Sequence, residues 1–309
     1  MYSGINEALG PTVKKTAPLR ANDGTIINDL PGQLDRWVEH YSLLYGTPVD
    51  ADLNAVSAAV PQLPVFNELD AEISTMEIEC AIAAMKDNKS PGSDGIPAEL
   101  LKCGGAVLVR RLHCLFRYCW QNKCIPSELK DANIITLYKN KGDRQDCNNY
   151  RGISLLSLSG KCLARAILPR LQRVADQVLP ESQCGFRAGR STLDMIFSVR
   201  QLQEKCVEQQ CPLYMVFVDL TKAFDYVSRS GLFHVLQRLG CPATLLAILQ
   251  GFHDGMRATV QFNGARSNEF DVCCGVKQGC VLAPTLFGIF FSAVLRRSFP
   301  DPGSAAHPV

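Results

Sequence analysis

Hydrophobic positions recur at helical spacing over much of the chain. Residues 34–44 read as one helix. Ser74 and Glu77 have the spacing of a capping box, and Ile78, Ile82 and Met85 then fall on one helical face. Pro97 suits the first turn of a short helix that stops before Gly104-Gly105, and a longer helix continues to about Asn122. A helix from about Gly160 keeps Leu163, Ile167, Leu171, Val174 and Val178 in register, but Pro169 lies inside it. An interior proline costs ~3 kcal/mol and predicts a kink or a break. Residues 193–208, 232–239, 245–252 and 282–295 give the remaining helices.

Strand signals are fewer. Residues 132–138 read as a strand followed by a polar loop to Tyr150. The run 213–218 is apolar throughout, which predicts a strand buried on both faces. Residues 258–262 and 269–273 flank Asn263-Gly264 and predict a hairpin with a long loop. Residues 1–69 are weakly patterned, with an acidic stretch at 50–70, and read as a partly ordered connector. Residues 70–309 read as the main domain.

Composition narrows the classes. The 309 residues are 47% hydrophobic and 20% charged, which excludes a disordered chain, a collagen-like chain and a coiled coil. The most apolar stretch, 281–295, is interrupted by Pro284 and is shorter than the ~20 residues of a membrane span. Residues 1–10 lack the basic start and apolar core of a signal peptide. With 14 cysteines and no such peptide, the expectation is an intracellular protein, cytoplasmic or nuclear and not secreted. Cys114, Cys119 and Cys124 are spaced by five, so they cannot share a helical face and read as packed thiols rather than a zinc site.

The net charge of +2 conceals an asymmetry. Residues 1–100 carry 6 basic and 15 acidic side chains, whereas residues 101–170 carry 13 basic and 4 acidic. A middle segment of net +9 suggests either a localised anionic partner or a solvated helical face.

The candidate chemistry begins at Asp219. A carboxylate at the end of an apolar strand is held rigidly, as divalent-metal binding requires, although an aspartate there also serves as a helix cap. Four further segments accompany it in order. They are Ser90-Pro91-Gly92-Ser93-Asp94-Gly95-Ile96-Pro97 and Asn149-Tyr150-Arg151-Gly152-Ile153-Ser154-Leu155-Leu156, then Gln183-Cys184-Gly185-Phe186-Arg187-Ala188-Gly189-Arg190-Ser191-Thr192, and finally Gly275-Val276-Lys277-Gln278-Gly279-Cys280-Val281-Leu282-Ala283-Pro284. Together with Asp219-Leu220-Thr221-Lys222-Ala223-Phe224-Asp225, the set closely resembles the reverse transcriptases of LINE-type (non-LTR) retrotransposons, from about residue 73 to 296. Among these, the nearest likeness is to polyproteins that also carry an upstream endonuclease.

The resemblance implies an α+β fold, a right-hand polymerase's fingers and part of its palm, with the thumb absent. It implies RNA-directed DNA synthesis, with Mg2+ as cofactor and an RNA template, a DNA primer and deoxynucleoside triphosphates as partners. No membrane and no small-molecule cofactor are implied. Asp219 resembles the first metal-binding aspartate. Phe224 resembles the aromatic gate beneath the incoming sugar, or is a plain core aromatic. Arg151 resembles the arginine that grips the triphosphate, and a planar guanidinium suits bidentate phosphate contact. Lys139 and Lys141 are either phosphate partners or members of a solvated loop. Gln278 and Gly279 resemble the pair packed against the nascent base pair, or form a simple turn. Gln183, Phe186 and Arg187 resemble a template-facing element, and aromatic and guanidinium planes do stack on bases.

The chain departs from the family pattern in one respect that bears on activity. Such polymerases carry two adjacent aspartates on a hairpin beyond the Gln-Gly pair, and this sequence contains no Asp-Asp dipeptide. Asp225 is read as turned away from the substrate and unable to replace the pair. The expectation is therefore a truncated reverse transcriptase domain, inactive alone, or a non-catalytic nucleic-acid-binding remnant.

Overall fold

The computed structural model describes residues 17–299. A small ribbon of β1 (Leu19–Arg20) and β2 (Ile26–Ile27) leads into α1 (Leu30–Tyr45) and α2 (Leu53–Ala59). Next come α3 (Thr75–Ala83), α4 (Ala98–Cys103), α5 (Gly105–Asn122) and α6 (Ser127–Lys130). The antiparallel pair β3 (Ala132–Tyr138) and β4 (Tyr150–Leu156) follows, then α7 (Leu158–Ala175) and α8 (Thr192–Glu208). The chain continues through α9 (Arg229–Arg238), α10 (Ala243–Gly251), β5 (Arg257–Phe262), β6 (Ala265–Arg266), β7 (Phe270–Asp271) and α11 (Ala283–Ser298).

Local chemistry explains several of these elements. Asp29 caps α1 by accepting from Gly32 N at 2.8 Å, and Pro31 fits the first turn. Ser74 and Glu77 form the expected capping box of α3. Their helix is then anchored, because the buried Arg170 of α7 donates to Glu77 at 2.8 and 3.0 Å and lies over the Trp120 ring. The sheet order is β4-β3-β5-β6, with β7 also on β5; β3 and β5 run parallel. Helix α1 lays Trp37 and Tyr41, both almost fully buried, into the same core as α7, α9 and α11.

Four expectations are corrected. Residues 213–218 are neither a strand nor buried, with Tyr214 89% and Phe217 83% exposed. A strand requires a neighbour, and none of the described strands lies beside this run. Helix α7 passes through Pro169 without a break, since Pro169 is on the exposed side where water can take the freed carbonyl. Residues 150–156 form a strand that periodicity does not announce. The Asn263-Gly264 hairpin is tight, because both residues have positive φ and the chain returns at once through β6.

Candidate active site

Backbone pairing assembles the site. Val276 N donates to the Phe224 carbonyl at 2.9 Å and Gly275 N to the Val227 carbonyl at 3.0 Å. Gly275 has φ +74°, and a Cβ there would stand 2.5 Å from the Asp225 carbonyl oxygen, so this approach needs glycine. One turn later Ser154 N donates to the Gln278 carbonyl at 2.8 Å, which fastens the turn to β4. The segment around Asp219, the Gln278-Gly279 turn and β4 thereby enclose a cleft of about 970 Å³.

Asp219, Arg151, Phe224, Gln278, Gly279, Lys139, Lys141 and Phe186 all line this cleft. They come from five stretches of sequence that only the fold brings together. Phe224 stacks on Phe287 of α11 at 4.5 Å and meets the edge of Phe186 at 5.8 Å, so it is half-buried and fixed. Lys139 Nζ donates to the Asn148 carbonyl at 2.8 Å, which ties the two ends of the β3–β4 loop together. Gln183 and Arg187 are not among the lining residues. The Gln183 side chain donates to the Gly185 carbonyl at 3.2 Å and Arg187 to the Pro180 carbonyl at 2.9 Å, so both brace the turn that carries Phe186.

The cleft includes residues that sequence reasoning missed. His40, Tyr41 and Tyr45 of α1 line it, as do Lys222 and Asp225. The signal was present for the tyrosines, since Trp37, Tyr41 and Tyr45 recur every four residues, and they stack at 5.9 Å intervals. Tyr41 also packs on β4, where a Cβ on Gly152 would come within 2.8 Å of its ring. The expectation that Asp225 faces away from the substrate is corrected. Asp225 is among the residues lining the cleft though only 5% exposed, and its carboxylate accepts from Tyr45 Oη at 3.0 Å and from Gln278 Nε2 at 3.2 and 3.3 Å.

Electrostatically the cleft favours anions. Lys139, Lys141, Arg151 and Lys222 line it against Asp219 and Asp225. Burial, with Lys222 and Arg36 nearby, pulls His40 down to about 4, so it is neutral at ordinary pH. Burial also raises Asp225 above the usual carboxylate range, opposed by its bonds to Tyr45 and Gln278. Lys277, fully enclosed, is drawn down to about 8 while donating to the Lys130 and Phe252 carbonyls at 2.6 and 2.7 Å.

The donor set does not fit a complete divalent-metal centre. Asp219 is exposed and Asp225 is committed to Tyr45 and Gln278. Among the described residues, no three His, Cys, Asp or Glu side chains stand close enough to hold an ion. The cleft can grip an anion and stack a ring, but its own residues do not complete a two-metal site.

Comparison with known proteins agrees with this geometry. The family described as reverse transcriptase (RNA-dependent DNA polymerase) matches residues 138–299, more than half of the chain, and the chain belongs to that family. It is 28% identical to the transposon TX1 uncharacterized 149 kDa protein of Xenopus laevis, over 92% of this chain and 22% of that protein. It is 29% identical to the probable RNA-directed DNA polymerase from transposon X-element of Drosophila melanogaster, over 89% of this chain and 31% of that protein. It is also 29% identical to the RNA-directed DNA polymerase from mobile element jockey of Drosophila melanogaster, over 71% of this chain and 24% of that protein. The chain is thus a reverse transcriptase domain of the non-LTR retrotransposon kind, and it spans between about a fifth and a third of the length of these relatives. Among the described residues no helix is long and apolar enough to cross a membrane.

Proposed function

We propose that the cleft is the incoming-nucleotide site of an RNA-directed DNA polymerase whose fingers and first part of a palm fall in residues 70–309, with His40, Tyr41 and Tyr45 of α1 completing its lining. Residues 1–69 form the connector ahead of it. Arg151, Lys139 and Lys141 hold the triphosphate, Phe224 underlies the sugar, and Gln278 with Gly279 packs against the base pair. Phe186 faces the template, on a turn braced by Gln183 and Arg187. The RNA template, DNA primer and deoxynucleoside triphosphates are its partners, inside the cell in the cytoplasm or nucleus. The observation that carries this reading is the convergence of Arg151, Phe224, Gln278 and the two loop lysines on one cleft.

Reverse transcriptases generally use divalent metal ions, and Asp219 is the group here that would contribute to holding Mg2+. With the rest of the ligand set missing from the described residues, the 309-residue chain is expected to bind substrates without extending a primer. The second reading, a non-catalytic nucleic-acid-binding derivative, is favoured by that same incomplete donor set.

Binding of an RNA–DNA hybrid across a range of salt concentrations tests both readings. Affinity should fall steeply with salt, whereas Arg151→Ala, whose guanidinium is read on the triphosphate, should leave that slope unchanged and weaken deoxynucleoside triphosphate binding instead. Salt-independent binding, or no binding at low ionic strength, would overturn them.

A further inference from the structure

Gln278 lies where the chain must read the shape of a base pair, yet a carboxamide is nearly symmetrical and can present either its oxygen or its nitrogen. Nothing in the turn's backbone decides between them. The deciding contact comes from 53 residues away, where both oxygens of the Asp225 carboxylate face Gln278 Nε2, at 3.2 and 3.3 Å. An ionised carboxylate only accepts hydrogen bonds, so it captures the NH2 end and turns the carbonyl end outward. Burial raises Asp225, and the hydrogen bonds from Tyr45 and Gln278, then Lys222 and Lys139, act in the opposite direction, toward the charged form. Among the described residues Gln278 Oε1 has no hydrogen-bond partner, and Gln278 lines the cleft.

Asp225 is itself oriented. It is 5% exposed, and the Tyr45 hydroxyl donates to its Oδ1 at 3.0 Å. Tyr45 is the last residue of α1, and its ring stacks on Tyr41, which stacks on Trp37, whose ring meets Tyr150 edge-on at 5.0 Å. Tyr150 precedes Arg151. One aromatic column therefore reaches from the triphosphate-gripping strand to the carboxylate behind Gln278.

We propose that Tyr45 and Asp225 are positioning residues for Gln278, so that helix α1, upstream of the matched family region, sets how strictly the cleft discriminates complementary from non-complementary nucleotides. This rests on the reading of the cleft as a nucleotide site. The carboxylate fixes which end of the carboxamide meets the base pair, and the tyrosine fixes the carboxylate. Without them Gln278 can flip, and a partner of the wrong shape is met by whichever end suits it.

Two measurements test this. The first needs no nucleotide: the Gln278 side-chain NH2 signal is observed by NMR and assigned by comparison with Gln278→Glu. In the parent chain it should be displaced from the free-carboxamide position and exchange slowly. Asp225→Asn, which is nearly isosteric but no longer acceptor-only, should return it to the free position, and Tyr45→Phe should do so in part. A free-carboxamide signal in the parent chain would overturn the proposal.

The second measurement titrates dTTP and dCTP in Mg2+ buffer against an RNA template–DNA primer hybrid that presents adenine. The preference for dTTP should fall about tenfold in Asp225→Asn, equivalent to ~1.4 kcal/mol, and less in Tyr45→Phe. Equal weakening of both nucleotides would mean a merely structural role and would refute the assignment. If the parent chain binds neither nucleotide, the nucleotide-site reading fails and the NMR result alone decides whether Gln278 is held.

Discussion

Gly279→Ala is the substitution whose consequence the structure defines most fully. Gly279 has φ +108°, and a Cβ there would stand 2.6 Å from the Ser154 carbonyl oxygen. Backbone in that region costs an L-residue ~1–3 kcal/mol. The clash is with backbone, so relief requires β4 and the turn to separate, which breaks the 2.8 Å bond from Ser154 N to the Gln278 carbonyl. That bond contributes about 1 kcal/mol, so the total is ~2–4 kcal/mol against the ~5–15 of a typical domain. The variant should fold but lose its cleft. Gly264→Ala is the control, because Gly264 has φ +79° with nothing within 4 Å of a built Cβ, leaving only a conformational cost of ~1–2 kcal/mol. Denaturant midpoints and titration with a fluorescent deoxynucleoside triphosphate read the two effects. Gly279→Ala should be the less stable and should lose nucleotide affinity about tenfold or more, the equivalent of ~1.4 kcal/mol, while Gly264→Ala keeps it. Equal destabilisation of the two variants, or unchanged affinity in Gly279→Ala, would refute the reasoning.

Acid should destabilise the fold early. Burial pulls His253 down to about 3 and His40 to about 4, so below the unfolded value of about 6.5 the unfolded chain binds more protons and stability falls with pH from there to about 3. His253→Phe should flatten this acid limb of the stability profile, and an unaltered profile would contradict the buried-neutral assignment. Residues 213–218 expose apolar side chains on both faces, so the chain should self-associate as concentration rises, with Val216→Lys/Phe217→Lys dispersing it. Sedimentation of a monodisperse monomer at high concentration would contradict that expectation.

How much of this was legible in the sequence depended on how local the cause was. The strand at 132–138 matches β3 to the residue, and the Ser74–Glu77 box is present, because each is specified by side chains close in sequence. β4 was missed because Gly152 and Ser154 interrupt its apolar pattern. Its pairing with β3 and the Tyr41 ring against Gly152 supply what the pattern lacks. The run 213–218 shows the converse failure, since strong strand propensity has no effect without a partner edge. The motifs located most of the cleft. Asp225 was misplaced because its direction is set by pairing of residues 224–227 with 275–276, some fifty residues on. The α1 tyrosines carried a visible four-residue repeat, but nothing local said what they would pack against.

The central claim, that the cleft grips a triphosphate and gates its sugar, is tested most directly by titrating dUTP and UTP, which differ only at the 2′ position, onto the chain bound to an RNA template–DNA primer hybrid presenting adenine. The parent chain should bind dUTP more tightly than UTP. Arg151→Ala should weaken both by about tenfold to a hundredfold, as expected for losing charge-assisted bonds of ~1.5–3 kcal/mol, and Phe224→Ala should erase the difference between the two sugars. Indifference to Arg151→Ala, or a sugar preference that survives Phe224→Ala, would contradict the account.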